Sequence, residues 1–202
     1  GERVASERFE AGQRATFLLK ETKEGIKGKE LIVSRADPLF VKRLFEREVP
    51  ELASRAVEIK AIARHPGVRT KIAVAAMASG VDPVGSCVGQ RGVRVQEVIK
   101  EIGGEKIDVI AWLDDPEQLI TAALSPAQNL KVAVDKDKKR ASVSAPQDQL
   151  SLVIGKDGQN VKLASELTGY TIDVKGGFEK VEKVEVNEDE VKTQISNVRS
   201  QS

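Results

Sequence analysis

The chain has 202 residues, of which 40% are hydrophobic and 31% charged, with 32 Lys+Arg against 31 Asp+Glu. That length suits one or two ordinary domains or three small ones, and no stretch approaches the ~18 apolar residues of a membrane span. A near-neutral balance speaks against a strongly basic nucleic-acid arm, and 3% aromatics against base stacking on a sheet, so any nucleic-acid contact must rest on where the charges sit.

The first residues, Gly1-Glu2-Arg3-Val4, lack an apolar signal core, so export is not expected. The single cysteine, Cys87, forms no internal disulfide and suits a reducing cytoplasm. Residues Arg14–Thr22 and Lys29–Ser34 alternate apolar and polar positions around a Lys/Glu/Gly turn, Lys23–Gly28, which predicts a β-hairpin. Asp37-Pro38 is a helix cap followed by proline at the first helical position. That helix is expected to reach Glu48, to bury Phe40, Val41, Leu44 and Phe45, and to stop at Pro50. Val57–Ala63 and Thr70–Ala76, joined through His65-Pro66-Gly67, form a second strand pair. Asp82-Pro83 opens a short helix leading to Gly89-Gln90-Arg91-Gly92. A longer helix, Val93–Ile102, is closed by Gly103-Gly104, and Glu105–Trp112 reads as a strand.

The same order then recurs. A helix runs from Asp115-Pro116 to Leu124, and strands Asn129–Asp135 and Arg140–Ala145 flank a charged turn, Lys136–Lys139. A short helix from Pro146 leads to Gly155-Lys156-Asp157-Gly158, followed by helix Gln159–Leu167 and strand Tyr170–Lys175. Each unit reads α-β-β-α-α-β. The predicted class is therefore α+β: a partial hairpin domain over 1–35, two like units over 36–113 and 114–176, and a flexible polar tail over 177–202.

The repetition extends to the residues. Val88–Val95 aligns with Ile154–Val161, Ile107-Asp108-Val109 answers Ile172-Asp173-Val174, and the first glycines stand 66 residues apart, Gly89 to Gly155. A period of that size marks a duplicated small domain. Glycine lets the chain reach φ > 0 and lets another backbone come close. A G-x-x-G loop that opens a helix aims free N–H groups and the positive helix end at an anion. This is the KH arrangement, whose loop clamps about four nucleotides of single-stranded backbone. A hairpin ahead of the GxxG helices is the type II KH order.

The expected RNA-binding residues are Gly89, Gln90, Arg91, Gly92 and Arg94 in the first copy, and Gly155, Lys156, Asp157, Gly158 and Asn160 in the second. Aliphatic grooves beside Val95 and Val161 are expected to hold bases, with Val88 and Ile154 anchoring each preceding helix in the core. Arg64, Arg69 and Lys71 form a further basic cluster, and Lys162 adds charge to the second loop's helix. Much of the acidity falls in Glu179–Glu190.

No catalytic constellation competes with this reading. Cys87 and His65 invite a nucleophile–base pair, but Cys87 lies in an apolar helix segment and His65 in a turn. Asp114-Asp115 reads better as a helix cap than as paired carboxylates, and Trp112 as a core residue rather than a stacking platform. No His/Cys/Asp spacing suggests a metal, and neither phosphate-loop nor dinucleotide fingerprint is present, so no cofactor is expected.

Longer motifs carry a family resemblance. Leu44-Phe45 with Glu48–Glu51, VEIKAIAR with PGVRTKIAV, DPVGSCVGQRGVRVQ (Asp82–Gln96), GEKIDVIAW (Gly104–Trp112), LSPA (Leu124–Ala127) and IGKDGQNVKLASELTGYTIDV (Ile154–Val174) resemble the NusA family of bacterial transcription factors. The resemblance covers Leu31–Lys175. It implies an OB-type RNA-binding domain ahead of two KH domains, with Leu31–Arg35 as the OB domain's last strand. No counterpart of the family's polymerase-binding domain or of the first OB strands is seen, so the chain looks like a fragment or a short relative. The implied role is in transcription elongation, termination and antitermination. The implied ligand is nascent single-stranded RNA, and RNA polymerase and other transcription factors would be reached through the parent protein. A cytoplasmic monomer is expected. The RNA-binding part of an exoribonuclease fits less well, because there KH precedes OB. A structural KH protein of the small ribosomal subunit fits less well because it usually has one KH unit.

Overall fold

The computed structural model describes residues 2–25 and 28–178. Strands β1 (Leu18–Gly25) and β2 (Gly28–Ser34) form the hairpin, with Leu18 opposite Ser34, Gly25 opposite Gly28 and a bulge between Leu19 and Glu21. β1 starts later than Arg14 and runs through Lys23 and Glu24, which were expected in the turn. Their side chains point to water, so pairing costs them no desolvation.

The segment ahead of the hairpin is tied down. Val4 is buried against Gly67, and the Glu2 carbonyl accepts from the N–H groups of Arg35 and Ala36. Arg35 is the hub: its guanidinium donates to both Glu7 carboxylate oxygens (2.6 and 2.8 Å), to Thr16 O and to Glu101 O. It also lies 5.0–5.7 Å from the ring centroids of Phe9, Phe17 and Phe40.

The first unit comprises α1 (Pro38–Glu48), α2 (Pro50–Ala53), β3 (Val57–His65), β4 (Arg69–Ala76), α3 (Pro83–Val88), α4 (Val93–Glu101) and β5 (Lys106–Ala111). Asp37 caps α1 through Leu39 N at 2.9 Å, and the four predicted apolar residues are its buried face. Pro50 ends α1 and also begins α2, because proline suits a first helical position. The sheet runs β3-β4-β5. β3 and β4 pair antiparallel across a tight turn, whereas β4 and β5 pair parallel because α3 and α4 carry the chain back across the sheet. Phe40, Phe45, Ile72, Val74, Cys87, Val98 and Ile102 form its core.

The second unit repeats the plan with α5 (Pro116–Ala123), β6 (Lys131–Asp135), β7 (Arg140–Pro146), α6 (Leu150–Ile154), α7 (Gln159–Thr168) and β8 (Thr171–Phe178), in sheet order β6-β7-β8. Three of its boundaries differ from expectation by more than one residue. Asn129 has φ 57°, a left-handed conformation that a strand cannot hold, so β6 begins at Lys131. Pro146 closes β7 and a turn follows, with Gln149 N donating to Pro146 O, so α6 starts only at Leu150. β8 continues beyond Lys175, pairing Gly176 with Ala145 and Phe178 with Pro146. A flexible tail is expected from 177, but Gly177 and Phe178 belong to β8, and residues 179–202 lie outside the described residues.

The two units share one core. Ala63, Ala73 and Ile110 from the first sheet join Leu119, Ile120, Leu163, Ala164 and Leu167 of the second unit. Alanines on β3 and β4 leave room for α7 to lie directly on the first sheet. Polar contacts pin the same seam: Lys71 Nζ donates to Ser125 O at 3.2 Å, and His65 Nε2 lies 3.2 Å from Glu166 Oε1.

Candidate nucleic-acid interface

The two GxxG loops follow one backbone path. Gly89 has φ 76° and ψ 168°, and Gly155 has 72° and 173°. Arg91 and Asp157 have φ/ψ of 54°/23° and 55°/25°, and Gly92 and Gly158 have 78°/12° and 74°/13°. Each loop closes a four-residue turn, with Gly92 N donating to Gly89 O and Gly158 N to Gly155 O, and its third residue, Arg91 or Asp157, is left-handed.

The glycines differ in why they are needed. A Cβ on Gly155 would meet Asn160 N at 2.9 Å, and one on Gly89 would meet Arg94 N at 3.0 Å. A Cβ on Gly92 would meet nothing within 4 Å, and one on Gly158 only Lys162 Cε at 3.6 Å. The first glycine is required by close packing as well as by φ, the second by φ alone. Helices α4 and α7 open at Gly92 and Gly158 with no side-chain cap and no acidic residue in the first turn. The first N–H of each helix, that of Val93 or Gln159, donates back to Gln90 O or Lys156 O, and the positive dipole end of the helix meets no acidic residue of its own first turn and is open to an external anion.

Gln90, Arg91, Lys156 and Asp157 project to solvent as expected. Arg94 and Asn160 do not. Arg94 is partly buried, with Nη1 2.9 Å from Glu51 Oε2 and 2.7 Å from Ser86 O. Asn160, expected among the RNA-facing residues, is 1% exposed, and its Nδ2 reaches Leu124 O, Leu152 O and Val153 O. The two occupy the same place in the repeat and tie the helix after the loop to the same carbonyl before it, that of Ser86 or Leu152. They brace the loops from behind. The only signal for this was spacing, each standing five residues past the first glycine, and spacing does not tell a brace from an RNA-facing residue. Glu51, distant in sequence, carried none. Among the described residues Asn160 Oδ1 is buried with no hydrogen-bond partner.

The anchors also shift by one residue. Cys87 and Val153, both fully buried, hold α3 and α6 in the core, whereas Val88 is half-buried and Ile154 is 42% exposed. Val95 likewise belongs to the core, and exposed Val93 forms the aliphatic surface by the first loop. A groove of ≈ 840 Å³ runs past that loop, lined by Glu51, Val81, Ser86, Arg91, Val93 and Arg94 among others. By the second loop Leu152 and Ile154 provide exposed aliphatic surface.

The Arg64–Arg69–Lys71 cluster is spent internally. Arg64 and Glu105 form a buried pair at 2.9 Å, and Glu105 also accepts from Gly67 N and Thr70 Oγ1. Arg69 grips Asp108 with two hydrogen bonds, and Lys71 Nζ lies 2.8 Å from the same carboxylate. Burial pushes the Lys71 ammonium down, against the opposing pull of Asp108. Burial would raise the Asp108 carboxyl, but hydrogen bonds from Arg69 and Lys71 outweigh it and hold it below the ordinary range. Alternation along β4 could not show that Lys71 points inward, because its counter-charge comes from β5.

The remaining candidates are structural. Burial pushes the Cys87 thiol up to about 11, and His65 pairs with Glu166 rather than with Cys87. Trp112 packs half-buried on the shared core and donates to Asp114 Oδ1, while Asp115 caps α5 through Gln118 N. Among the described residues no helix is long and apolar enough to cross a membrane.

Comparison with known proteins matches this architecture. A family model described as the NusA-like first KH domain matches residues 35–112, and one described as the NusA-like second KH domain matches 116–182. The chain belongs to the NusA family. It is 48% identical over 171 residues to the transcription termination/antitermination protein NusA of Thermus thermophilus, covering 85% of this chain and 44% of that protein. For the NusA of Bacillus subtilis the figures are 45% over 174 residues, 86% and 47%. For that of Halalkalibacterium halodurans they are 44% over 178 residues, 88% and 47%. The chain therefore spans less than half the length of these NusA proteins.

Proposed function

We propose that the chain is the single-stranded RNA-binding module of a transcription elongation, termination and antitermination factor, acting in the cytoplasm on nascent RNA. Residues 1–35 are the end of an OB-type domain, 36–113 the first KH domain, 114–178 the second and 179–202 a polar tail. RNA polymerase and other transcription factors are reached through the parent protein, and the module itself is monomeric. The observation that carries this reading is the pair of GxxG loops with matching dihedrals, each opening an uncapped helix, on two units that share a core.

In each loop the backbone N–H groups and the helix end hold a phosphate, and Arg91 or Lys156 adds a charge-assisted contact. Gly89, Gly92, Gly155 and Gly158 allow the strand to approach, Gln90 and Asp157 face it, and Arg94 and Asn160 fix the loop from within. Val93, Leu152 and Ile154 offer apolar surface to bases. The test is a charge reversal in both loops, Gln90→Asp with Arg91→Asp and Lys156→Asp. Single-strand RNA affinity should fall by at least roughly 1–3 kcal/mol, the usual worth of charge-assisted hydrogen bonds, with circular dichroism unchanged. Unaltered affinity in the folded variant would refute the assignment.

A further inference from the structure

The first loop's brace is a charge pair facing the groove, and the second loop's brace is neutral and buried. Glu51, carried on α2, and Arg94, carried on α4, meet at 2.9 Å with their side chains 32% and 33% exposed. Both line the groove that leads to Gly89, Gln90 and Arg91. Arg94 uses Nη1 for Glu51 and Ser86 O, and among the described residues it makes no hydrogen bond through Nε or Nη2. The other carboxylate of the groove, Asp82, is occupied in capping α3 through Val84 N at 3.1 Å. At the equivalent place in the second unit, Asn160 makes its contacts to three carbonyls and to no charged group.

We propose that Glu51 is a built-in competitor in the first RNA groove, holding the charge of Arg94 until a phosphate of the bound strand takes it. The inference rests on the reading of the loops as RNA-binding. An ion pair this open to water is weakly held, so an exchange of partners is cheap. A phosphate is the stronger claimant, because its oxygens match two donors of a guanidinium fork and the Nε–Nη2 edge is unused. A carboxylate left in the groove also repels the strand that runs through it. Glu51 thus sets the affinity of the first loop below what its cations would give, whereas in the second loop the carboxylate at hand, Asp157, holds no cation of the brace.

The test isolates the first loop by using Lys156→Asp as the parent and a fluorescent single-stranded RNA pentamer as the probe. Adding Glu51→Gln, which keeps the side chain's shape, should tighten pentamer binding at least threefold. Most of that gain, all but the part that comes from direct repulsion of the strand, should disappear when Arg94→Gln is present in both proteins, a comparison that also removes any general effect of the substitution on folding. Binding that is unchanged or weaker in Glu51→Gln would overturn the proposal, since Glu51 would then merely orient Arg94. Arg91→Asp in the same parent separates the two readings. If it leaves pentamer binding intact, the loop assignment fails and the proposal with it. If it weakens binding while Glu51→Gln does not tighten it, the proposal alone fails.

Discussion

Replacing each loop glycine by alanine should reveal two different costs within one four-residue motif. At Gly155 the backbone sits at φ 72°, ψ 173°, a region essentially reserved for glycine, where strain costs of order 1–3 kcal/mol. The added Cβ would also stand 2.9 Å from Asn160 N and 2.8 Å from Asn160 Cβ, atoms fixed at the start of α7. Overpacking against atoms that cannot move costs a further ~1–3 kcal/mol. Gly155→Ala should therefore cost roughly 2–6 kcal/mol. Gly158→Ala meets only the flexible end of Lys162 and takes a left-handed conformation that Asp157 already adopts, for about 1–2 kcal/mol. Urea unfolding followed by the fluorescence of Trp112 is suited to the comparison, because that single tryptophan packs on the core shared by both units. The midpoint should fall much further for Gly155→Ala than for Gly158→Ala. Equal losses would refute the claim that the first glycine is held by packing.

Two further outcomes follow from the titratable groups. Asp108→Asn leaves Lys71 and Arg69 without their shared counter-charge and should cost about 2–3 kcal/mol at pH 7, below the usual figure for a buried pair because Asp108 is partly exposed. The Asp108 carboxyl is held below its ordinary range, so its contribution is complete above that range and is lost as pH falls through its folded value. The stability gap between the two proteins should therefore close below about pH 4 in urea titrations. Cys87, buried and with its thiol pushed up to about 11, should react with a disulfide reagent at pH 8 only as fast as the protein opens, and rapidly in urea.

The elements and the repeat were legible because their signals are local. Asp37-Pro38, Asp82-Pro83 and Asp115-Pro116 each cap a helix where expected, and the GxxG register located both loops. Three features were not legible, each for a physical reason. Lys71 reads as a surface cation until β5 brings Asp108 beside it. Asn160 reads as a loop-facing amide until the short α6 places Leu152 O and Val153 O within its reach. The place of the N-terminal segment depends on Arg35, whose partners Glu7, Thr16 and Glu101 are scattered along the chain. Side-chain alternation reports which face is apolar, and it is silent about which distant charge a buried polar group will meet.

The central claim is that both loops hold one strand on a rigid body. Only Trp112-Leu113-Asp114-Asp115 lies between β5 and Pro116, and α7 is packed on the first sheet, so the two loops are held on one body. With about four nucleotides per loop, a strand of roughly eight or more engages both, and the second contact then forms at high effective concentration. Titrating single-stranded RNAs of four to sixteen nucleotides measures this directly. Affinity should step up sharply once the strand spans both loops, and Lys156→Asp should remove the step. A plateau already reached at four or five nucleotides, or a gradual rise with no step, would contradict the account.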